Sequence, residues 1–348
     1  MKPRIVFVVM SAIHSADTVT DLARSLAPHT VLVHHDFAQT PKFKVNEPNV
    51  IFVPEPKRTG WGVWGFTQGV FHALQFAVAT LEFDYLQLLS PTCLPIKPMS
   101  ALEAHVAAGS TEADFSCVDL LAERDGLMSV SWRAFAPEHT FRHRLLRRLS
   151  RTYYGSSPDR VDIAGIQLLT APGPARGLPR WRALMALAIT RALTHVSISR
   201  HVFDENLRPY FGSVWFGAHR PVIEWMIDRF GQPDIQRYFP SLRLPEELVI
   251  PTILGNSGFK SGPYNHCIIT FNDANPKWLE ECDFELLRRS PAFFARKFPV
   301  ETAAPIRRRV LTELVGLNGD GQAETPRSAA PAKAGNRLSS GPQVVGAG

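Results

Sequence analysis

The chain has 348 residues, of which 45% are apolar and 20% are charged, and this composition is that of a soluble globular protein with a large core. The length fits one large domain or two small ones and excludes neither. The formal net charge of +6 favours anionic ligands or surfaces, but this modest excess does not choose between phosphates, membranes and nucleic acids.

Apolar periodicity predicts alternating strands and helices in the first part of the chain. The predicted elements are a buried strand at 5–10, a helix at 17–26, strands at 30–34 and 51–53, a helix at 68–81 and a strand at 85–89. This alternation predicts an α/β fold in which helices flank a parallel or mixed sheet. Ligands of such sheets bind beyond the carboxyl ends of the strands, where we expect Asp36, Trp64 and Ser90.

The pattern weakens between about residues 121 and 200, which include a basic segment at 141–151 with five arginines. We interpret 121–200 as an insertion over the sheet, on the side where an acceptor is chosen. The arginines are compatible with a solvated helix face or with attraction to anionic lipid or polysaccharide, and nucleic-acid binding has only the charge in its favour. Residues 1–300 are predicted to form one domain, and 301–348, rich in Ala, Pro, Gly and Ser, a disordered tail.

Asp36 and Trp64 are candidate nucleotide-binding residues. Asp36 ends a predicted strand, where a carboxylate commonly contacts a nucleotide, although an Asp that caps the next turn has the same pattern. Trp64 belongs to a segment at 61–65 with two tryptophans and two glycines, directly before a helix. An exposed ring there can stack on uracil or on a sugar, and packing of both rings in the core is equally compatible with the sequence.

A second aromatic segment, Gly-Ser-Val-Trp at 212–215, is a candidate acceptor site. Gly212 allows close approach of the backbone, and Trp215 offers an aromatic wall. We therefore assign Ser213 and Trp215 to acceptor binding, while noting that a simple buried strand has the same appearance.

Glu246 and Glu247 follow Pro245, at the predicted start of a helix. Acids are favoured there by the helix dipole alone. Because the two residues are adjacent, their side chains point in different directions and only one can serve a given site. A carboxylate beside the apolar run 248–250 can accept the proton of an attacking hydroxyl group.

Arg296 and Lys297 could be two solvated surface cations, but the flanking Phe293, Phe294 and Phe298 favour a positioned pair. Fixed cations in such a setting can neutralise a departing diphosphate. Many nucleotide-sugar transferases hold a divalent ion through Asp-x-Asp, and this sequence contains no Asp-x-Asp. We therefore expect neither a metal nor another cofactor, and we expect Arg and Lys to replace the ion.

The cysteines and the apolar segments indicate a cytoplasmic protein. The four cysteines lie far apart, at Cys93, Cys117, Cys267 and Cys282, and we expect reduced, mostly buried thiols. The apolar run at 5–10 is too short for a signal peptide, and Arg191 and His195 interrupt the stretch at 183–196. We expect a cytoplasmic enzyme, with peripheral contact at the inner face of the membrane as one alternative.

Taken in order, these motifs resemble the core-2/I-branching β-1,6-N-acetylglucosaminyltransferase family, which also includes peptide xylosyltransferases. The similar segments are 34–36, 64–67, 89–97, 212–215, 245–252 and 294–298. Each match alone is weak, and the order of all six along residues 5–300 is the specific signal.

The resemblance implies a GT-A-type nucleotide-sugar fold, inverting chemistry and independence from metal. It makes Glu247 the general base and Lys297 a ligand of the donor diphosphate, with Asp36 and Trp64 framing uridine. His266 stands where the family commonly has an arginine, so Arg296 is expected to take a larger share of the diphosphate charge.

The second departure from the family pattern is Ser90-Pro91-Thr92-Cys93, where the family has Ser-Gly-x-Asp. The loss of that carboxylate leaves the donor sugar open. The expected partners are a UDP-sugar, in the first place UDP-N-acetylglucosamine, and a glycan or glycolipid acceptor, with no nucleic acid. Transfer of xylose or another hexose, and a non-catalytic protein that binds glycans or nucleotides, remain alternatives.

Overall fold

The computed structural model of the chain describes residues 2–122, 202–272 and 275–317, together with two strands and a few further positions between 141 and 188. Most of the predicted insertion at 121–200, including most of the basic segment 141–151, lies outside the described residues. The same holds for the tail beyond residue 317.

The strands and helices alternate along the first part of the chain, as the periodicity predicts. The strands are β1 Ile5–Ser11, β2 Thr30–His35, β3 Val50–Phe52, β4 Tyr85–Leu89, β5 Leu94–Pro95, β6 Ala113–Asp114, β7 Cys117–Asp119, β8 Asp159–Ile163, β9 Ile166–Thr170, β10 Tyr210–Gly212, β11 Gly217–His219, β12 Cys267–Ile269, β13 Phe271–Asn272, β14 Asn275–Pro276 and β15 Phe294–Arg296. The helices are α1 Ala16–Ser25, α2 Trp64–Thr80, α3 Met99–Ala108, α4 Arg220–Phe230, α5 Pro233–Tyr238, α6 Glu246–Gly255, α7 Phe284–Arg289 and α8 Pro305–Arg309. Helix α2 begins at Trp64, four residues before its predicted start at residue 68.

The main sheet has six strands in the order β3-β2-β1-β4-β11-β6. Strand β1 pairs in parallel with β2 on one side and with β4 on the other. Strand β11 runs antiparallel to β4 and to β6, so the sheet is mixed. The prediction of an α/β fold with a mixed central sheet flanked by helices is confirmed.

Alternate residues of β1 face opposite sides of the main sheet, because side chains alternate along a strand. Val8 belongs to a core cluster with residues of α2, α4 and α6. Phe7 belongs to a second cluster with residues of α1, α3 and β15. Both side chains are completely buried, so the two faces of the sheet are covered by different helices.

A smaller sheet, with β15 between β12 and β5, contributes to the second cluster. Residues 305–314 also pack there and are helical, and Ile306 and Val310 are buried. The folded part of the chain therefore continues beyond residue 301, the end that its composition predicts. The predicted end lies where aromatic residues become rare, but the aliphatic side chains of Ile306 and Val310 continue the core beyond that point.

All four cysteines are free thiols, and Cys93 and Cys267 are buried. Cys117 is half-buried and Cys282 is exposed, so the prediction of mostly buried thiols holds for two of the four. Among the helices of the described residues, none is long and apolar enough to cross a lipid bilayer.

Gly217 has no side chain, and this leaves room on β11 for the buried Tyr85 and Gln87 side chains of the neighbouring strand β4. A Cβ atom at this position would collide with the Tyr85 hydroxyl group and lie 2.5 Å from Gln87 Oε1. We expect Gly217→Ala to lower the free energy of unfolding by about 1–3 kcal/mol, as overpacking of a core commonly does. Urea denaturation measures the change.

The matched control is Gly231→Ala at the end of α4, where an added Cβ would meet its nearest neighbour at an ordinary 3.5 Å. That substitution should leave stability unchanged or raise it by about 0.4–1 kcal/mol. Equal stability of the wild-type protein and the Gly217→Ala variant would show that β11 relaxes away from Tyr85 at little cost.

Candidate functional site

The carboxyl ends of β1, β2 and β4 meet at one edge of the main sheet. Ser11 is paired with His35 in the register of β1 and β2, and Val9 is paired with Leu89 in the register of β1 and β4. The backbone N–H of Asp36 donates to Ser11 O at 3.0 Å, which continues the pairing past the end of β2. Asp36 therefore lies at the strand edge where sheets of this type bind ligands.

The Asp36 carboxylate is 3% exposed and is held by the loop before α2. Its Oδ2 accepts from the Thr59 N–H and from Gln39 Nε2, each at 2.7 Å, and its Oδ1 accepts from the Ala38 N–H at 3.0 Å. Burial acts to raise the pKa of Asp36, but these hydrogen bonds outweigh it and hold the pKa below its ordinary value. The carboxylate is ionised, and Oδ1 keeps the capacity to accept from a ligand.

Of the two tryptophans before α2, Trp61 is the exposed one. Its side chain is 69% exposed, and the Arg243 guanidinium lies 5.2 Å from the centre of its ring. Trp64 is half-buried and stacks on Phe230 of α4 with 5.3 Å between ring centres. Trp61 is not among the predicted site residues, and its ring is more exposed to a ligand than that of the predicted Trp64.

The loop that carries Trp61 is joined to the segment that starts α6. The Leu244 N–H donates to Gly62 O at 2.9 Å, and both residues have left-handed backbones, with φ of 50° and 70°. Pro245 follows and caps the helix. Glu246 is buried with 6% exposure, whereas Glu247 is partly exposed. The structure therefore leaves Glu247 as the more accessible of the two adjacent carboxylates.

Arg296 and Lys297 lie at the end of β15, each beside a tryptophan. The Arg296 guanidinium is 4.8 Å from the centre of the Trp215 ring, and Lys297 Nζ is 3.8 Å from that of Trp278. Aromatic faces attract cations through the ring quadrupole, so these contacts fix both charges in place.

Positive charge is concentrated around Lys297. Burial lowers the pKa of Lys297, and the neighbouring Arg296 charge lowers it further. His14, three residues after the end of β1, has a pKa lowered by burial and then by the charges of Lys297 and Arg296. Burial disfavours a charge of either sign, but the smaller contribution of Lys297 and Arg296 to the His14 shift shows that their positive charges act on the same small region, where an anion would be attracted.

Ser213 and Trp215, the residues assigned to acceptor binding, are tied to Asn265. Asn265 Nδ2 donates to Ser213 Oγ at 2.8 Å and to Trp215 O at 3.1 Å. The Trp215 side chain is only 5% exposed, and Arg296 lies against its ring. In this arrangement Trp215 supports the Arg296 cation and has little surface left for a sugar.

His266 lies next to Asn265 and packs in a buried cluster around Asp114. Its Nε2 is 3.4 Å from Asp114 Oδ1. Asp114 Oδ2 also accepts from the Tyr85 hydroxyl at 2.8 Å and is 2.9 Å from His105 Nε2. Burial acts to raise the pKa of Asp114, but the hydrogen bond with His105, the nearby His266 ring and the hydrogen bond from Tyr85 bring it well below its ordinary value.

The predicted site residues therefore fall into two groups at one sheet edge. Asp36 and Glu247 are connected through the loops that carry Thr59 and Gly62, and Arg296 and Lys297 are connected to the end of β1 through His14.

Comparison of the chain with models of known protein families, and with curated proteins, finds no match.

The pH dependence of stability tests whether the hydrogen bonds to the ionised Asp36 carboxylate stabilise the protein. Because the folded-state pKa of Asp36 is depressed, the carboxylate stabilises the protein above the ordinary carboxyl pKa, and this contribution is lost as the pH falls through the folded-state value. At pH 7 we expect Asp36→Asn to lower the free energy of unfolding by about 1–3 kcal/mol. Denaturation at a series of pH values should show this difference shrinking below about pH 4.

The control is Asp228→Asn on the exposed surface of α4, for which we expect a change within about 0.5 kcal/mol at every pH. A difference between wild type and Asp36→Asn that stays constant down to low pH would mean that the ionised carboxylate is not what the loop recognises.

Proposed function

We propose that the chain is an inverting glycosyltransferase of the GT-A type. It transfers N-acetylglucosamine from its UDP-sugar to a hydroxyl group of a glycan or glycolipid. The observation that carries this proposal is the gathering of Arg296 and Lys297, with His14, at the sheet edge that also holds the Asp36 carboxylate. A nucleotide diphosphate matches this edge in charge, and the carboxyl ends of the strands are where nucleotides bind to such sheets.

In the proposed reaction, the acceptor hydroxyl attacks the anomeric carbon on the face opposite the diphosphate. The bond between that carbon and the diphosphate oxygen breaks, and its electron pair leaves with UDP. Glu247 accepts the hydroxyl proton as the new glycosidic bond forms, which raises the nucleophilicity of the oxygen. Attack from the opposite face inverts the configuration at the anomeric carbon.

Arg296 and Lys297 stabilise the charge that develops on UDP. Their contacts with Trp215 and Trp278 hold them in place before the reaction, so little reorganisation is needed when the diphosphate leaves. Arginine can bind phosphate oxygens through two parallel hydrogen bonds, and lysine acts as a compact charge. We propose that these cations make Mg²⁺ or Mn²⁺ unnecessary for departure of the diphosphate.

A non-catalytic protein that binds nucleotides or glycans is the second candidate. It is favoured by the burial of His266, which stands where the resembling family has an arginine and lies against Asp114. Detection of UDP released from a panel of UDP-sugars, including UDP-xylose, separates the candidates because a binding protein releases none. The same panel distinguishes N-acetylglucosamine from xylose or another hexose as the transferred sugar.

The role of Glu247 is tested by replacing its carboxylate with an amide of the same shape. We expect Glu247→Gln to lower turnover by about 100-fold or more, because the general base is lost, while UDP binding measured by calorimetry stays nearly unchanged. Glu246→Gln, the same substitution one residue earlier, should retain most of the turnover. The reverse ranking of the two variants would assign the base to Glu246.

The role of the cations is tested at Lys297. We expect Lys297→Ala to lower turnover by about 100-fold, the size of effect seen when one preorganised charge-stabilising group is removed. The control is Lys277→Ala, because Lys277 Nζ donates to both Asp283 oxygens at 2.9 Å and has a structural partner. Strong stimulation of the wild-type enzyme by Mg²⁺ or Mn²⁺ would contradict the proposal that Arg296 and Lys297 suffice.

A further inference from the structure

His105, Asp114 and His266 form a compact group of metal-ligand types. One ligand atom from each residue lies within 4.8 Å of the other two. Asp114 is completely buried, and His266 is 5% exposed. The three residues come from α3, from β6 and from the segment just before β12, so the group connects the main sheet to the smaller one.

His266 has buried polar atoms that the protein itself does not satisfy. Neither of its ring nitrogens has a hydrogen-bond partner, and the 3.4 Å separation from Asp114 Oδ1 is not an aligned hydrogen bond. Its backbone is also in the left-handed region, with φ of 54°, which is unfavourable for a residue with a side chain. A buried polar group without a partner calls for an explanation, and a bound ion is one of the explanations that native structures provide.

We propose that His105, Asp114 and His266 bind a zinc ion. Two imidazoles and one carboxylate are a donor set that zinc accepts, whereas Mg²⁺ and Ca²⁺ require mostly oxygen ligands. Neighbouring ligand atoms of a tetrahedral zinc site with bonds of about 2.0 Å are roughly 3.3 Å apart. Asp114 Oδ2 is 2.9 Å from His105 Nε2 and Asp114 Oδ1 is 3.4 Å from His266 Nε2, and the ligand atoms of the three residues lie within 4.8 Å of one another. The side chains would therefore draw together around the ion, and a water molecule would be its fourth ligand.

The surroundings of Asp114 support a ligand role. The hydroxyl groups of Tyr85 and Thr111 donate to its two oxygens at 2.8 and 3.0 Å, and such outer hydrogen bonds orient the carboxylate ligands of metal sites. A Cβ atom on Gly262 would collide with Asp114 Oδ1, so only glycine leaves that oxygen its position. Zinc would replace the hydrogen bond between His105 and Asp114 and would give His266 Nε2 a partner.

Such a zinc ion would fix the start of β12, which is the neighbour of the strand that carries Arg296. This role is separate from departure of the diphosphate, for which Arg296 and Lys297 are proposed. The inference does not rest on the proposed function, and its test needs no sugar substrate.

The experiment is equilibrium binding of Zn²⁺ and Co²⁺ to the untagged full chain, after removal of metal by chelation under native conditions and in denaturant with refolding. We expect about one equivalent of zinc per chain, a rise in the melting temperature on zinc addition, and the visible absorption of tetrahedral cobalt. His105→Gln and His266→Gln should abolish all three signals. Tyr85→Phe, which removes only an outer hydrogen bond, should weaken zinc binding about 10-fold.

The matched control is His29→Gln, because His29 is a buried histidine that is 2.8 Å from one carboxylate, Glu103, outside the cluster. That variant should bind zinc like the wild-type protein. Absence of stoichiometric zinc and cobalt binding by the wild-type chain would overturn the proposal. Equal binding by the wild type, His105→Gln and His266→Gln would overturn it as well, since the metal would then bind elsewhere. Tyr85→Phe keeps the test valid if the histidine variants fail to fold.

Discussion

The parallel pairing of β1 with both β2 and β4 is the constraint on which the rest of the structure depends. It aligns the carboxyl ends of three strands, and it places β1 in the middle of the sheet, where different helices cover its two faces. Val8 and Phe7 are buried on opposite sides, so the position of the strand is determined by two separate cores. A polar residue that follows one of these strands is therefore delivered to the same edge, whatever its distance along the chain.

The charges at this edge are held by different means. The Asp36 carboxylate is fixed by backbone and side-chain N–H groups of neighbouring loops, which satisfy an anion directly. Arg296 and Lys297 lie against aromatic faces, which position a cation without neutralising it. In the described part of the chain, the Asp36 carboxylate thus has protein donors for its charge, whereas the aromatic contacts of Arg296 and Lys297 leave the charge of both cations unneutralised.

The sequence predicts the features that are local or periodic. Strands β1, β2 and β4 are visible because their apolar residues are consecutive, and Asp36 is visible because it ends one of them. The exposure of a ring is not a local property, since Trp64 is covered by Phe230 from a distant helix while Trp61 is left open. The buried group at His105, Asp114 and His266 has no spacing that a pattern could detect, because tertiary packing brings these residues together.

The hydrogen bond between Leu244 and Gly62 joins two loops that are far apart in the sequence, and both residues are in left-handed conformations. One loop continues from the donors that hold Asp36, and the other leads into the first turn of α6. A molecule that displaces either loop must break this bond or move both loops together. The loop that holds Asp36 and the first turn of α6, which carries Glu247, are therefore mechanically joined by this bond.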